Sequence, residues 1–169
     1  MQAKPYFLTL ARYNVWATAQ LLDAVAALPE ADYRRDCGLF FKSIHGTLNH
    51  LLVGEHGVWR KRFAEGLSPQ VALNAEVEAD RHALDLQLRQ GAQAWQPLIE
   101  SWDEARFDST LDYVNLSGVA MSLPFATTLG HVFNHGSHHR GQITAALTAL
   151  GQPCPELDLV YLLQSEHVT

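Results

Sequence analysis

Residues 124–150 read PFATTLGHVFNHGSHHRGQITAALTAL, and no other segment constrains the architecture as strongly. At about 100° per residue, seven residues of this segment, most of them apolar, fall in one narrow stripe of a helix. The stripe consists of Phe125, Leu129, Val132, Gly136, Ile143, Leu147 and Leu150. Pro124 suits the first turn of a helix, and Gly151 is a usual stop. The pattern therefore predicts one long helix over 124–150 that buries a single face.

Three earlier segments show the same helical spacing of apolar residues. They run from about Pro5 to Leu28, from Ser43 as N-cap to about Gly66, and from about Ala75 to Trp102. Residues 32–39 read as a connecting loop, and residues 157–163 as a short terminal helix. The alternating pattern of residues 108–123 predicts a short hairpin or an extended excursion. We therefore expect an all-α protein, an up-and-down type four-helix bundle with this insertion before the last long helix, as a single domain over residues 1–169.

Composition restricts the classes of function. The chain has 169 residues, a net charge of −6 and 47% hydrophobic residues, which is typical of a globular domain and unlike a phosphate-backbone binder. No segment offers the roughly 18–20 uninterrupted apolar residues that a membrane span needs, and the N-terminus does not resemble a signal peptide. We expect a cytoplasmic protein with no nucleic-acid or membrane partner. Nine histidines against twelve lysines and arginines point to imidazole chemistry.

Histidines of the last helix supply the clearest chemical pattern. His135 and His139 are four residues apart and lie at the edge of the apolar stripe, so both imidazoles can face one point. Such an i, i+4 pair is a common way to present two nitrogen ligands to one metal. His131 lies farther round the helix, and His138 lies nearly opposite the stripe and is expected at the surface.

A third ligand must come from another helix, and the second one offers His45, His50 and His56. His50 points away from the main apolar stripe of that helix, but towards a face that holds three glycines: Gly46, Gly54 and Gly57. Each glycine costs a helix about 1 kcal/mol relative to alanine, so a close neighbour on that face would explain them. This reasoning buries the helix on two sides, and from spacing alone His45 stays a competitor of His50.

Other chemistries have weaker support in the sequence. A single helical histidine is more commonly a hydrogen-bonded structural residue than a ligand. The chain lacks the H-E-x-x-H, C-x-x-C, G-x-S-x-G, P-loop and E-x-x-H patterns of other catalytic or metal sites. Cys37 and Cys154 are too few for a disulfide scaffold, and nothing beside Cys154 would activate its thiol. From spacing alone, a hydrogen-bonded structural role for the histidine pair stays the alternative to metal binding.

Three motifs, in this order along nearly the whole chain, resemble the DinB family of metal-binding helical bundles, which is distinct from the DNA polymerase of that name. They are YNVWA at 13–17, SIHGTLNH at 43–50 followed by Trp59, and NHGSHHRGQ at 134–142, of which the last is the specific one. The resemblance implies a four-helix bundle, a homodimer and a divalent metal, zinc or nickel by preference, on three histidines. Carried over by motif, these ligands are His50, His135 and His139.

What the resemblance implies about activity is broader. Relatives include thiol-dependent S-transferases and a maleylpyruvate isomerase, so one hypothesis is a metal-dependent enzyme that transfers a low-molecular-weight thiol to an electrophile or hydrolyses a small-molecule substrate. The alternative is a dimeric metal-binding protein without catalysis. No catalytic residue is assigned beyond the ligands; Asn134, Arg140 and Gln142 are expected to support the site. Apolar side chains in excess of one bundle interior, Trp16, Trp59 and Phe63, agree with a dimer.

Overall fold

A computed structural model describes residues 2–167 of the chain. Its elements, in chain order, are α1 (Ala3–Ala26), α2 (Glu30–Tyr33), α3 (Ile44–Leu51), a π-helical segment (Leu52–Trp59), α4 (Arg60–Glu65), α5 (Arg81–Gln93), α6 (Trp95–Glu100), a 3-10 turn (Glu104–Asp108), β1 (Thr110–Val114), β2 (Ala120–Pro124), α7 (Phe125–Ala149) and α8 (Leu159–His167). The segments α3, π-helix and α4 follow one another without a break, and we call them together the second helix.

Capping residues set the ends of the second helix where the sequence predicts them. The Ser43 hydroxyl accepts a hydrogen bond from the Gly46 amide at 3.0 Å. At the other end Gly66 adopts a left-handed conformation with φ +67°, which glycine tolerates without a Cβ clash. The predicted limits of this helix are therefore accurate.

The third helix begins later than predicted, at Arg81 instead of Ala75. The Asp80 carboxylate caps it by accepting from the Ala83 amide at 2.7 Å. Residues 66–80 are instead a connecting segment, held by the Asn49 side chain, which bonds both the amide and the carbonyl of Glu78. Because side-chain bonds compete with helical ones, the helical spacing of residues 75–80 does not become a helix.

The long helices form the predicted four-helix bundle. Both α1 and the second helix pack against α5 and α7, so these two consecutive helices lie across a diagonal of the bundle. The predicted insertion is an antiparallel hairpin in which Thr110 pairs with Pro124 and Val114 with Ala120. Pro124 thus ends a strand directly before α7, one residue outside the helix. Among residues 2–167, none of the helices combines the length and apolar character that crossing a bilayer requires.

Two apolar clusters fill the bundle, and a buried polar layer separates them along α1, the second helix and α7. Its members are Asn14, Glu55 and Arg140, each at most 3% exposed. An Arg140 Nη1 hydrogen bond reaches Asn14 Oδ1 at 2.6 Å, and Asn14 Nδ2 donates to Glu55 Oε2 at 3.3 Å. Burial raises the pKa of Glu55 above its ordinary value, against the opposing effect of the nearby Arg140 charge. The layer joins three helices at one level of the bundle.

Of the three aromatic side chains expected at a dimer interface, Phe63 and Trp59 pack against other rings of the chain, and Trp16 is half-buried beside Tyr13 with ring centroids 6.1 Å apart. Phe63 is buried and packs edge-on against Phe125 with ring centroids 5.0 Å apart. Trp59 is half-buried against Tyr113 at 5.4 Å. Phe63 is therefore not free to form an interface, which removes part of the sequence argument for a dimer.

Substitution of two glycines on α7 tests the packing at the polar layer. A methyl group on Gly136 would overlap Glu55 Oε1 and approach Arg140 Nη1 to 3.0 Å, whereas one on Gly141 meets nothing within 4 Å. Alanine gains about 1 kcal/mol of helix propensity at either position, but overpacking a core costs about 1–3 kcal/mol. We expect Gly136→Ala to melt below the wild type and Gly141→Ala at or above it, as measured by circular dichroism. Equal melting temperatures of the two variants would contradict the described packing.

Candidate metal centre

His50 lies in the last turn of α3, and the chain fixes its ring on two sides. Its Nδ1 donates to the Leu73 carbonyl in the connecting segment at 2.8 Å. Because a carbonyl can only accept, the proton of a neutral His50 is on Nδ1 and the lone pair is on Nε2. The Phe41 ring stacks on the imidazole with centroids 3.8 Å apart and planes 17° apart. His50 is thus held with its Nε2 lone pair presented to α7.

Phe41 reaches this position through a turn before the second helix. Lys42 has a φ of +67°, a left-handed conformation that costs a residue with a Cβ about 1 kcal/mol. The Phe41 carbonyl accepts from the Ser43 amide at 2.8 Å and lies against Gly46, where a methyl group would overlap it. Gly46 therefore makes room for this turn.

On α7, His139 is oriented by a residue of its own helix. Its Nδ1 lies 2.8 Å from Gln142 Oε1, an acceptor only, so Nδ1 carries the proton and Nε2 the lone pair. The supporting role predicted for Gln142 matches this contact. Arg140 belongs to the buried polar layer, whereas Asn134 is exposed and its side chain has no hydrogen bond within residues 2–167.

Three imidazole nitrogens meet at one point. His135 Nε2 lies 3.0 Å from His50 Nε2 and 3.1 Å from His139 Nε2. Since His50 and His139 both direct lone pairs inwards, the single proton of a neutral His135 can satisfy only one of them. A metal satisfies all three nitrogens, and tetrahedral ligands at about 2.0–2.1 Å from zinc would be separated by about 3.3 Å. The donor set and its spacing therefore fit one divalent metal ion.

Close approach of the second helix to α7 makes this convergence possible. A methyl group on Gly54 would stand 3.3 Å from His135 Cε1 and 4.0 Å from the His50 ring. Gly54 thus has the role predicted for the glycine face, and every residue from Ile44 to His56 is buried, as expected for a helix covered on two sides. Gly57 does not take part, because its nearest neighbour is a carbonyl of its own helix.

Burial keeps all three imidazoles neutral. It lowers the pKa of His135 to about 3 and that of His139 to about 4, with smaller contributions from the neighbouring histidines. The pKa of His50 is also lowered by burial, partly offset by its bond to Leu73. Metal coordination requires neutral imidazole, so the site is prepared for it at neutral pH.

Other residues considered from the sequence lie elsewhere. His45, the competitor of His50, faces away and contacts Tyr33 Oη at 3.5 Å and Asn49 Nδ2 at 3.2 Å. His138 is exposed as predicted, and Cys154 is an exposed free thiol. His50, His135 and His139 are the potential metal cluster found among residues 2–167.

Two contributors to the site could not be predicted from the sequence. Phe41 and Leu73 lie in irregular segments. Leu73 acts through its backbone carbonyl, which every residue type has, so its identity in the sequence does not indicate the role. Glu55 of the buried polar layer is a further residue with a weak sequence signal. Only its position within an apolar run indicates that it is buried. His135 Nδ1 is buried and has no hydrogen-bond partner within residues 2–167.

The fold and the site define the class of protein: a helical bundle with three inward-facing histidines. The sequence model of the DinB family matches residues 1–167, and the chain belongs to this family. It is 28% identical over 164 residues to Protein DinB of Bacillus subtilis (strain 168), covering 93% of this chain and 94% of that protein.

Similarity in structure agrees with this assignment. YfiT from Bacillus subtilis, described as "a probable metal-dependent hydrolase with an unusual four-helix bundle topology", superposes with a TM-score of 0.68. The match covers 89% of each chain at 15% sequence identity. At this level of identity the likeness establishes the fold.

Histidine substitutions test the ligand assignment. His50→Ala, His135→Ala and His139→Ala should each abolish stoichiometric metal binding, because two imidazoles are a poor site for a divalent ion. His138→Ala and His45→Ala, with intact clusters, should still bind one ion per chain in elemental analysis. Full metal content in His139→Ala would overturn the assignment.

Gln142 should tune the metal affinity through His139. Loss of a group that orients a ligand typically lowers metal affinity about 10–100-fold, so Gln142→Ala should do so in a competition titration with a chromogenic chelator. Asn134→Ala, on the same helix and without a bond, is the matched control and should leave the affinity unchanged. Equal affinities of the two variants would show that the Gln142 contact has no supporting role.

Acidification should remove the stabilisation that the metal provides. In the folded protein, protons compete with the metal for these imidazoles only as the pH falls towards their folded pKa values, about 4 for His139 and about 3 for His135. The unfolded-state pKa of about 6.5 affects the metal-loaded and metal-free proteins equally. At a hundredfold excess over Kd, a metal adds about 2.7 kcal/mol to the free energy of unfolding. The difference in melting temperature between metal-loaded and chelator-treated protein should therefore stay near its maximum at neutral and mildly acidic pH and shrink as the pH falls through about 4 and 3. A difference that stays constant across this range would contradict the three-histidine site.

Proposed function

We propose that His50, His135 and His139 hold one divalent metal ion and that the protein is a metal-dependent enzyme acting on a small-molecule substrate, with hydrolysis as the favoured reaction. The metal is zinc or nickel by preference, because three neutral imidazoles are typical ligands of both.

One observation supports catalysis over a purely structural metal. Among residues 2–167 the cluster contains three donors and no fourth histidine, cysteine, aspartate or glutamate. Structural zinc sites are usually closed by four protein ligands, whereas catalytic sites have three and leave a position for water or substrate. The donor count therefore favours an open site.

Each residue around the cluster has a defined task in this proposal. Leu73 and Gln142 fix the tautomers of His50 and His139, so both keep their lone pairs directed inwards. The stacked Phe41 ring covers the face of His50 and excludes water there. A bound metal would lower the pKa of a water or thiol and polarise a carbonyl or leaving group.

Two kinds of nucleophile suit such a site. Hydrolysis is favoured by the structural relative described as a probable metal-dependent hydrolase, although that relative is only 15% identical. Transfer of a low-molecular-weight thiol to an electrophile is the second reaction, and it rests on the resemblance to the family.

Three sequence-based predictions remain proposals. They are a single domain over residues 1–169, a cytoplasmic location and a homodimer. A homodimer is also part of the alternative function, a metal-binding protein without catalysis. A face for the dimer must come from residues other than the buried Phe63.

A two-armed assay of the metal-loaded protein tests the function. One arm follows hydrolysis of nitrophenyl esters and amides, and the other follows transfer of cysteine or glutathione to chlorodinitrobenzene. We expect turnover in the hydrolysis arm that falls at least about 100-fold in His139→Ala and persists in His138→Ala. Turnover confined to the thiol arm would replace hydrolysis by transfer. Full metal occupancy with no turnover in either arm would favour the non-catalytic alternative.

A further inference from the structure

A groove of about 460 Å³ lies between the π-helical segment and α5 and is bordered by the connecting segment 66–80. We call it the α5 groove. Its apolar walls are Leu52 and Val53 from the second helix and Pro69, Val71 and Val77 from the connecting segment. No described residue that lines it carries a carboxylate. Its volume is within the range of about 300–1,000 Å³ typical of small-molecule sites.

Two cations line the α5 groove without a counter-charge. Arg60 and Lys61 are each half-buried, and within residues 2–167 neither side chain has an ion pair or a hydrogen bond. Five of the other arginines are paired with carboxylates, namely Arg12, Arg34, Arg35, Arg81 and Arg89. The side chains of Arg62, Arg106 and Arg140 instead donate hydrogen bonds to neutral oxygens. Unpaired cations in a cleft with apolar walls produce a focused positive potential that attracts anions.

His56 lines the groove and has a buried nitrogen without a hydrogen-bond partner in residues 2–167. His56 is 8% exposed, and its Nδ1 has no hydrogen-bond partner among the described residues. Its ring lies against Gly91, where any side chain would overlap the imidazole. Burial lowers the pKa of His56 to about 3, so the ring is neutral and can donate or accept one hydrogen bond. Ligand sites typically combine apolar walls with a few such polar groups.

The connecting segment links the α5 groove to the metal centre. Leu73, whose carbonyl accepts from His50, lies between the groove residues Val71 and Val77. A ligand in the groove would therefore contact the same segment that orients a metal ligand.

We propose that the α5 groove binds a small organic anion with an apolar body. Its acidic group pairs with Arg60 and Lys61, and its hydrocarbon part lies between Leu52, Val53 and Val77. This inference does not depend on the proposed function, because the charges and walls of the groove are independent of any metal.

Two fluorescent probes that differ in charge test this inference. The probe 8-anilinonaphthalene-1-sulfonate carries one sulfonate, and N-phenyl-1-naphthylamine has the same aromatic body without it. We expect both to bind the wild-type protein, and Arg60→Gln combined with Lys61→Gln to weaken sulfonate binding at least tenfold while changing the Kd of the neutral probe less than twofold. The pair Arg35→Gln and Lys42→Gln, outside the groove, alters the net charge equally and should affect neither probe.

A blocking variant locates the binding. Val77 is 53% exposed at the edge of the groove, so Val77→Trp should leave folding intact while obstructing the groove and weakening both probes. Melting curves confirm the fold of each variant. Unchanged sulfonate affinity in the Arg60/Lys61 variant, equal loss in the control pair, or full binding to Val77→Trp would overturn the proposal.

Discussion

Three imidazole lone pairs directed at one point are the constraint around which this bundle is organised. Without a cation, neutral rings about 3 Å apart would leave at least one pair of nitrogens facing each other unsatisfied. Keeping them there requires that Leu73 and Gln142 hold two of the rings in one tautomer. Such support of the ligand rings by neighbouring groups is what preorganised metal sites require.

The buried polar layer fixes the helices that carry these rings. Glu55 and Arg140 are costly to bury, and such groups seldom increase stability over an apolar core. The bonds through Asn14 connect α1 with both ligand-bearing helices at this level of the bundle. Gly136 is part of the same arrangement, since only hydrogen leaves room for the Glu55 carboxylate. A sliding of α7 along the second helix would break these contacts and separate the histidines together.

Much of this could be predicted from periodicity and caps. The stripe on residues 125–150, the Ser43 cap and the alternation in residues 110–124 each correspond to an observed element. The pair His135 and His139 follows from i, i+4 spacing, because both are on one regular helix.

Features that depend on long-range contacts could not be predicted in the same way. Helical spacing alone does not distinguish His45 from His50 as the third ligand. They are distinguished by the approach of α7 to the second helix at Gly54. The π-helical segment that follows α3 also changes the angle per residue, so a regular helical wheel misplaces the residues after Leu51. The start of α5 cannot be predicted from local spacing, because the Asn49 side chain, distant in sequence, forms hydrogen bonds with the connecting segment.

The coordination shell itself can be measured by X-ray absorption spectroscopy on the zinc- or nickel-loaded protein. The proposed site predicts three imidazole nitrogens and one further light atom at about 2.0–2.2 Å, with the outer-shell scattering that imidazole rings produce. A sulfur scatterer near about 2.3 Å would place the ion on Cys37 or Cys154 instead. That result, or a shell with fewer than three imidazoles, would contradict a metal centre formed by His50, His135 and His139.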